Sequence, residues 1–536
     1  MTLTIPRQHL TITYGEVTAS SQDRDREPHM TAVQPRTESL ITVHNPATGA
    51  VAGTVPVDGS EMVAAKAAQL VSAQPEWEEL GPAGRKRWML AWQEWILDHA
   101  DHITEVLISE TGKSYVDASL EAVATSDAIN YWATHAKEFL ADRHPKAHSP
   151  VYQVKRFTTA YRPYPLVGVI TPWNFPFAMP GLDVPPALAA GAAVLLKPSE
   201  VTPLSAVEFV RGWTEIGAPP VLGLATGYGE TGQALIEHAD FLQFTGSTAT
   251  GRKVAVACAE RLIPYGLELG GKDPAIVLAD ADLERAANGI AWGGMFNSGQ
   301  VCVSVERVYV EAPVYDEFVA KLAARVGGMQ QGHDGDTGAM ATAAQRDIVS
   351  RHVEEATAAG ARVLAGGKPT GVGTYFAPTV LADVEPEMSC MAEETFGPTL
   401  PVIKVADENE AVRLANDSPY GLSATVWTAD KRRGQRLARR LEVGAVNIND
   451  ALVNVFCPGL PMGGWKQSGI GYRAGGAAGI IKYCRQQAIT APRVPTQKSE
   501  LLWYPASKRR MGIALAVMRA FSARGRRRFG MRPRNG

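Results

Sequence analysis

A single cysteine, Cys302, lies in a glycine-containing turn and is the first residue of this chain that could do chemistry. The turn occupies 296–304 and precedes an apolar stretch that ends at Val310. A cysteine in a turn just before a strand is expected to be exposed, and its thiolate can act as a nucleophile. The alternative is that Cys302 is a small buried hydrophobic residue. The other motifs of the chain must decide between the two.

Two polar side chains in apolar surroundings could assist such a cysteine. Glu268 lies between two leucines, and a carboxylate in that setting tends to have a raised pKa and can act as a general base. The alternative is a surface glutamate paired with Lys272. Asn174 lies between Trp173 and Phe175, where its neutral amide can stabilise an oxyanion.

Three further motifs could bind a nucleotide. Residues 246–251 close a strand and open a helix, whose N-terminus offers free N–H groups to a phosphate, although glycines also simply make turns. Lys197 and Glu200 end a neighbouring strand and could hydrogen-bond ribose hydroxyls, or could be a solvated strand end. The paired acids of 393–394 precede an aromatic residue and a turn, and could equally form a charged loop.

The elements that carry these motifs alternate between strand and helix. Residues 60–141 are predicted to be mostly helical, after a hairpin that turns at 45–49. Residues 151–154 and 157–161 are predicted to form a strand pair. Short apolar runs separated by helical patterns then indicate βαβ units and a parallel sheet, which binds ligands beyond the carboxyl ends of its strands. These runs are 166–170, 192–196, 221–225 and 241–244 in a first set, and 274–278, 307–310, 401–405 and 424–427 in a second.

The bulk properties narrow the class of protein. A chain of 536 residues predicts two to four domains. Five widely spaced cysteines without a CxxC pair predict neither a disulfide framework nor a metal site, and fit a reducing cytoplasm. The sequence contains no run of 18 or more apolar residues, so no membrane-spanning helix is expected. Residues 1–39 are polar and are predicted to be a disordered leader, and Met1 and Met30 both stay open as the start.

The C-terminal residues 497–536 differ from the rest in charge. They carry eleven Lys or Arg and one Glu, a net +10, which leaves −12 for the remainder of a chain whose net charge is −2. Basic residues flank the apolar stretch 511–518, so a helix here could lie on an anionic membrane surface. The alternative is a disordered or subunit-packing tail. Nucleic acid is not expected, because no aromatic stacking platform accompanies the charge.

Taken together and in order, the motifs resemble those of the NAD(P)-dependent aldehyde dehydrogenase superfamily, over roughly 40–495. The matching motifs are PWNFP at 172–176, KPSE at 197–200, FTGS at 244–247, ELGGK at 268–272, GQVC at 299–302 and ETFGP at 394–398. The resemblance implies an α/β fold. Its expected parts are a Rossmann-type cofactor domain (40–148 and 163–267), an α/β catalytic domain (268–466) and a small β oligomerisation arm (149–162 and 481–493). It also implies a homodimer or homotetramer. The basic tail (497–536) departs from the family's common core, and membrane contact of the expected cytoplasmic protein through this tail is left open.

The same resemblance implies a mechanism. Cys302 attacks the aldehyde carbonyl, Asn174 and the backbone N–H of Cys302 hold the oxyanion, and hydride passes to nicotinamide. Glu268 then activates the water that hydrolyses the thioester, which favours a free acid over acyl transfer to coenzyme A. A catalytically silent binding homologue is the alternative of another class, and the intact set of three residues argues against it.

The resemblance also implies a cofactor site. Lys197 and Glu200 would hold the adenosine ribose, Ser247 the pyrophosphate and Glu394 the nicotinamide ribose. Because Glu200 repels a 2′-phosphate, NAD is expected to be preferred, with NADP possible. The expected cofactor residues are Thr171, Trp173, Lys197, Ser199, Glu200, Gly246, Ser247, Gly251, Gly270, Glu394 and Phe396.

The substrate is expected to be an apolar aliphatic or aromatic aldehyde. By an ungapped count, Leu182 occupies the place where relatives that act on succinate semialdehyde have an arginine. A second carboxylate would have to be desolvated in an apolar pocket. Succinate semialdehyde stays the alternative, since other arginines could enter the pocket in three dimensions. The residues expected to line the pocket are Phe175, Met179, Leu182, Phe296, Val301, Val303 and Leu460.

Overall fold

The computed structural model describes residues 39–149, 152–495, 498–500, 503–505 and 507–529. The predicted leader therefore lies outside the described residues, apart from Ser39. The strands are, in chain order, β1 (Leu40–His44), β2 (Val51–Pro56), β3 (Lys155–Pro163), β4 (Leu166–Ile170), β5 (Ala193–Lys197), β6 (Leu222–Leu224), β7 (Phe241–Thr245), β8 (Tyr265–Glu268), β9 (Asp273–Val277), β10 (Val305–Glu311), β11 (Arg362–Ala365), β12 (Thr379–Ala382), β13 (Thr399–Val405), β14 (Ser423–Trp427), β15 (Ala445–Ile448), β16 (Pro461–Met462), β17 (Gly469–Ile470), β18 (Arg473–Ala474) and β19 (Cys484–Pro492).

The described part of the chain also contains α-helices. They are α1 (Ser60–Glu79), α2 (Gly81–Asp98), α3 (Ala100–Thr111), α4 (Tyr115–Phe139), α5 (Ala178–Ala190), α6 (Leu204–Glu215), α7 (Gly229–His238), α8 (Thr248–Glu260), α9 (Leu283–Met295), α10 (Tyr315–Gly327), α11 (Ala343–Ala358), α12 (Ser389–Ala392), α13 (Glu408–Asn416), α14 (Lys431–Ala438), α15 (Ala477–Ile481) and α16 (Lys508–Ser522). The prediction that 60–141 is mostly helical is confirmed. The eight apolar runs predicted as strands, from 166–170 to 424–427, also form strands. Among the described residues, no helix is both long and apolar enough to cross a membrane.

The first large sheet has the strand order β17-β8-β7-β4-β5-β6. Its strands pair in parallel except β17, which runs antiparallel to β8. The chain order reverses between β4 and β7, and such a switch point opens a crevice beyond the carboxyl ends of the two strands. Helix packing fixes the sheet from one side: the indole rings of Trp77 and Trp92 meet Trp213 edge to face at centroid distances of 5.5 and 5.3 Å.

The second large sheet has the order β11-β12-β13-β10-β9-β14-β15, and only β11 is antiparallel to its neighbour. Both faces are covered, because Ala275 and Val277 pack into one apolar cluster and Ile276 between them packs into another. Glu268 ends a strand of the first sheet and Asp273 begins a strand of the second. The segment between them therefore joins the two sheets next to β10, the central strand that follows Cys302.

The third sheet is a two-stranded antiparallel pair of β3 and β19, in register from Lys155 with Pro492 to Pro163 with Cys484. The prediction that 151–154 pairs with 157–161 is therefore wrong. Residues 152–154 form a turn, whose Val154 carbonyl accepts a hydrogen bond from Arg493 at 2.8 Å. Local alternation of side chains shows that a segment is extended, but does not show which distant strand completes its hydrogen bonds.

Candidate active site

The turn before Cys302 is held in an unusual backbone conformation. Residues 297–299 have φ values of 52°, 55° and 72°, which side chains rarely adopt. A Cβ at Gly299 would collide with the backbone of the facing loop at Gly397, so only glycine fits there. Ser298 Oγ compensates for part of the strain by donating to a backbone carbonyl at 2.9 Å. The turn leaves Cys302 half-buried, at the wall of a cavity.

Asn174 is tied to the same turn. Its Nδ2 donates to the carbonyl of Gln300 at 2.9 Å, and Asn297 Nδ2 donates to the carbonyl of Asn174 at 3.0 Å. An amide nitrogen carries two donors, so one N–H of Asn174 remains for a substrate oxygen. Two segments that lie more than 120 residues apart in sequence thus meet, and the Asn174 amide is hydrogen-bonded to the turn that carries Cys302.

The thiol of Cys302 needs a base. Burial raises its pKa to about 12, the carboxylates of Asp273, Glu268 and Glu394 raise it further, and only Arg473 lowers it. The thiol is therefore protonated at neutral pH until a proton acceptor removes its hydrogen.

Glu268 has the properties of that acceptor. It is 3% exposed at the end of β8, and no described group donates a hydrogen bond of ordinary geometry to either carboxylate oxygen. Burial raises the pKa of Glu268 to about 7, against the opposing charges of Arg473 and Lys482. The alternative interpretation, a surface glutamate paired with Lys272, is wrong, because Lys272 Nζ binds Glu306 at 2.6 Å.

The arginine beside this base was not found from the sequence. Arg473 is 1% exposed and forms a bidentate ion pair with Asp183, with Nε–Oδ1 at 2.9 Å and Nη2–Oδ2 at 2.7 Å. Its Nη2 also donates to Thr245 Oγ1 at 2.5 Å. One signal existed: Asp183 stands alone as a charge in an apolar helix, and such a residue is rarely buried unless it is paired. Arg473, which lies 290 residues later in a two-residue strand, gave no such signal in the sequence.

An apolar cavity with about 110 Å³ of free space opens beside Cys302. It contains six of the seven expected pocket residues, all but Leu460, and none of its described lining residues is Lys or Arg. Leu460 is not among the lining residues of this cavity: its N–H donates to the carbonyl of Cys457 at 2.9 Å in a tight turn, and its side chain is 51% exposed. The lining residues are Leu120, Glu121, Ala124, Asp127, Ala128, Phe175, Ala178, Met179, Leu182, Phe296, Val301, Cys302, Val303, Leu452, Val455, Phe456, Pro458 and Met462.

The wall that α4 contributes was also missed, and it contains a buried ion pair. Lys113 Nζ lies 2.5 Å from Glu121 and 4.0 Å from the ring centroid of Phe175. The other oxygen of Glu121 accepts from the N–H groups of Phe177 and Ala178, at 3.1 and 2.9 Å. The pair therefore fixes the start of α5, which carries cavity residues, while its charges compensate each other.

Most of the expected cofactor residues lie beyond the carboxyl ends of β4, β5 and β7. Lys197 is buried, its Nζ donates to Pro198 at 2.8 Å, and burial lowers its pKa. Thr171 Oγ1 is buried and has no partner among the described groups. Ser247 caps α8 by accepting from Thr250 at 3.3 Å, next to Gly246 and Gly251. A buried unpaired hydroxyl, an amine and a helix N-terminus suit a dinucleotide.

The remaining cofactor residues lie at the far side of this cleft. Glu394 accepts from the N–H of Gly271 at 3.0 Å, and burial raises its pKa to about 8. Gly270 approaches the Glu394 carboxylate so closely that a Cβ would collide with it. Phe396 packs edge to face on Trp173 at 5.4 Å. Glu200 and Ser199 are the exception: they follow Lys197 at the end of β5, and they are partly exposed.

Comparison with known proteins agrees with this geometry. The model of the aldehyde dehydrogenase family matches residues 32–489. The chain is 39% identical to 4,4'-diapolycopene aldehyde oxidase of a Methylomonas species, over 88% of this chain and 89% of the relative. It is 38% identical, over 86% and 91%, to a Mycolicibacterium smegmatis protein whose provisional name is succinate-semialdehyde dehydrogenase [NADP(+)].

The fold agrees as well. The crystal structure of an NAD-dependent aldehyde dehydrogenase from Sinorhizobium meliloti superposes with a TM-score of 0.82 at 34% identity, over 86% of this chain and 93% of that one. Sequence, architecture and the arrangement around Cys302 thus lead to one conclusion. The chain belongs to the aldehyde dehydrogenase family, and is an oxidoreductase that converts an aldehyde to the acid with NAD(P).

Proposed function

We propose that the enzyme acts on apolar aldehydes and releases a free carboxylic acid by way of a thioester on Cys302. The observation that carries this proposal is the cavity at Cys302, in which apolar side chains predominate and none of the described lining residues is a cation. An apolar wall favours an alkyl or aryl group, whereas a distal carboxylate would lose its hydration without gaining an ion pair.

The proposed reaction has two stages, formation of the thioester on Cys302 and its hydrolysis. Glu268 takes the thiol proton of Cys302, and the sulfur attacks the aldehyde carbon. The Asn174 amide and the backbone N–H of Cys302 stabilise the oxyanion. The nicotinamide cofactor, when bound by the residues from Thr171 to Phe396 named above, supplies the hydride acceptor. After Glu268 has released that proton to solvent, it removes a proton from water. The water oxygen attacks the thioester carbon, and the Cys302 sulfur leaves and takes up a proton as the acid forms.

We propose that NAD is preferred over NADP. Glu200 follows the buried Lys197 at the end of β5 and is partly exposed toward solvent. A carboxylate at that position repels a 2′-phosphate, while it can accept hydrogen bonds from two ribose hydroxyls. The Mycolicibacterium relative carries NADP(+) in its name, so NADP is retained as the second cofactor.

Succinate semialdehyde is the alternative substrate, and two of the named relatives point in different directions. The Methylomonas protein, named for 4,4'-diapolycopene aldehyde, supports an apolar substrate, and the Mycolicibacterium protein supports the semialdehyde. An arginine does approach the cavity wall: Arg473 Nη1 lies 3.9 Å from the sulfur of Met179. Its charge is already paired with Asp183, so it offers little to a substrate carboxylate.

Steady-state NADH formation with hexanal, benzaldehyde and succinate semialdehyde tests the proposal, with Cys302→Ala as the control. We expect kcat/KM to be highest for the two apolar aldehydes, and at least tenfold lower with NADP than with NAD. A higher value for succinate semialdehyde would refute the substrate assignment. Turnover that persists in Cys302→Ala would refute the mechanism.

We also propose the domain division and assembly that the sequence suggested, in a cytoplasmic homodimer or homotetramer. The two large sheets support separate cofactor (40–148 and 163–267) and catalytic (268–466) domains, and β3 with β19 supports an arm at 149–162 and 481–493. An isolated two-stranded sheet is marginally stable in water, and Ile489 on β19 is 44% exposed. Light scattering should therefore show an oligomer that Ile489→Asp weakens. A monomeric wild-type protein would contradict the assembly.

A further inference from the structure

The large apolar side chains of helix α16 lie on one side of the helix, where they cover more than half of its circumference, and all of them face solvent. Ser507 caps the helix by accepting from Arg510 at 3.2 Å, so its start is well defined. An apolar helix face of this width is ordinarily buried against the rest of the protein. Six large apolar side chains are instead between 37% and 54% exposed: Met511, Ile513, Leu515, Val517, Met518 and Phe521.

Cations stand at both ends of this apolar stretch. Lys508, Arg509 and Arg510 form its first turn, and Arg519 lies in its last turn. Three more described arginines follow the helix. Arg524 precedes the 3-10 turn Gly525–Phe529, and Arg527 and Arg528 lie within this turn, which packs against α16. The sequence from 501 to 536 contains no Asp or Glu. The positive charge of this segment is therefore not neutralised by any acidic residue within the segment itself.

The segment leading to α16 is attached to the body of the protein. Glu500 accepts from Lys155 Nζ at 2.7 Å, at the first residue of β3. This ion pair holds residues 498–500 beside the two-stranded sheet, so the helix begins a few residues from a fixed point.

We propose that α16 and the turn Gly525–Phe529 form a docking surface for an anionic lipid membrane. The apolar side chains would enter the boundary between headgroups and acyl chains, and the flanking arginines and lysine would reach lipid phosphates. The helix would lie on the membrane rather than cross it, since fifteen residues at 1.5 Å each span only about 22 Å.

Charge decides between lipid and a second copy of this helix. Because both ends of α16 are cationic, parallel and antiparallel pairing of two copies would each bring like charges together, which opposes association. An anionic lipid surface is complementary to every charged group of the segment. The inference concerns the location of the enzyme and does not rest on the substrate or chemistry proposed above.

Cosedimentation of the full chain with vesicles tests the proposal. One vesicle contains phosphatidylcholine alone, and the other contains phosphatidylcholine with 30% phosphatidylglycerol as the anionic probe. We expect binding to the anionic vesicles that weakens as salt is raised, and little binding to the neutral ones. Equal binding to both, or to neither, would overturn the proposal.

Two triple variants and a matched control separate the contributions. Each cation near an anionic surface contributes about a fivefold factor, so Arg509→Gln/Arg510→Gln/Arg519→Gln should bind about a hundredfold more weakly. Replacement of Ile513, Leu515 and Phe521 by Ser should abolish binding. The control removes three exposed cations from α14, as Lys431→Gln/Arg432→Gln/Arg436→Gln, and should bind as the wild type does.

Activity on a water-soluble aldehyde and light scattering complete the design. All three variants should keep wild-type kcat/KM in vesicle-free buffer, which shows that they are folded. If the Ser variant instead changes the oligomeric state and the wild type does not bind anionic vesicles, α16 is a subunit contact, and the proposal is refuted.

Discussion

Replacement of Glu268 by Gln is expected to make the enzyme less active and, at alkaline pH, more stable. Burial raises the pKa of this carboxyl from 4.5 to about 7, so the folded protein holds its proton more tightly than the unfolded chain does. The stability that this proton contributes is complete below pH 4.5 and is lost as pH rises through 7. Above pH 7 the folded state carries a buried carboxylate, which the charges of Arg473 and Lys482 and the backbone N–H of Arg473 stabilise only in part.

The magnitude follows from the two pKa values. Each pH unit between them corresponds to 1.36 kcal/mol, so the buried charge costs about 3 kcal/mol at pH 8 and less than about 1 kcal/mol at pH 5. Gln has nearly the same shape and is neutral at every pH. Glu268→Gln should therefore raise the free energy of unfolding by about 3 kcal/mol at pH 8 and change it little at pH 5.

The same substitution should lower kcat by about 10²–10⁴, the usual contribution of a general base. In the wild type, kcat/KM should rise with pH through about 7, as Glu268 loses its proton, and this limb should vanish in the variant. The assays are urea unfolding at pH 5 and pH 8 and NADH formation from pH 5.5 to 9.

Glu110 provides a matched control. Its pKa is also raised to about 7 by burial, but it accepts hydrogen bonds from the backbone of Leu204 and from Ser205. Glu110→Gln would turn an amide toward those donors and should not gain stability at pH 8. The reasoning is refuted if Glu268→Gln is no more stable than wild type at pH 8, or if its gain is equally large at pH 5.

Three further outcomes are expected. Asn174→Ala should lower kcat by about 10²–10³ because an oxyanion donor is lost, and a normal urea midpoint would show that the fold is intact. Asp183→Asn should cost about 3–5 kcal/mol in unfolding free energy, because it leaves Arg473 buried and unpaired. Asp183 itself raises the pKa of Glu268, so its loss should lower that pKa and move the acid limb of kcat/KM below pH 7; a limb that stays in place would show that the charge of Asp183 does not act on Glu268. Glu200→Gln should raise the ratio of kcat/KM for NADP over NAD on the order of tenfold, and an unchanged ratio would place Glu200 away from the 2′-position.

The parts of the site that could be predicted are those whose chemistry is local. Cys302, Asn174 and Glu268 each stand in a short motif in which a reactive group meets turn residues or apolar neighbours, and the structure brings their segments together. The strands could be predicted because apolar runs between turn residues are themselves the property that buries a strand. The resemblance in six ordered motifs added the family, which no single motif carried.

The parts that failed depend on contacts between distant residues. The pairing of β3 with β19 joins segments more than 300 residues apart, and side-chain alternation is the same whichever partner a strand takes. Leu460 is as apolar as the cavity residues, and its sequence neighbours do not show that its side chain is exposed. The wall from α4 was missed because the same helical periodicity also describes an ordinary core helix.

The sequence by itself indicated the reaction, because six ordered motifs resemble those of one family and include the cysteine, the amide and the carboxylate. Only the tertiary structure decided how those groups are charged. The pKa of Glu268 depends on burial and on Arg473, and Arg473 is held there by Asp183, 290 residues earlier in the chain. Desolvation and Coulomb interaction act through space over a few ångströms, and residue order along the chain does not reveal which groups will lie within that distance.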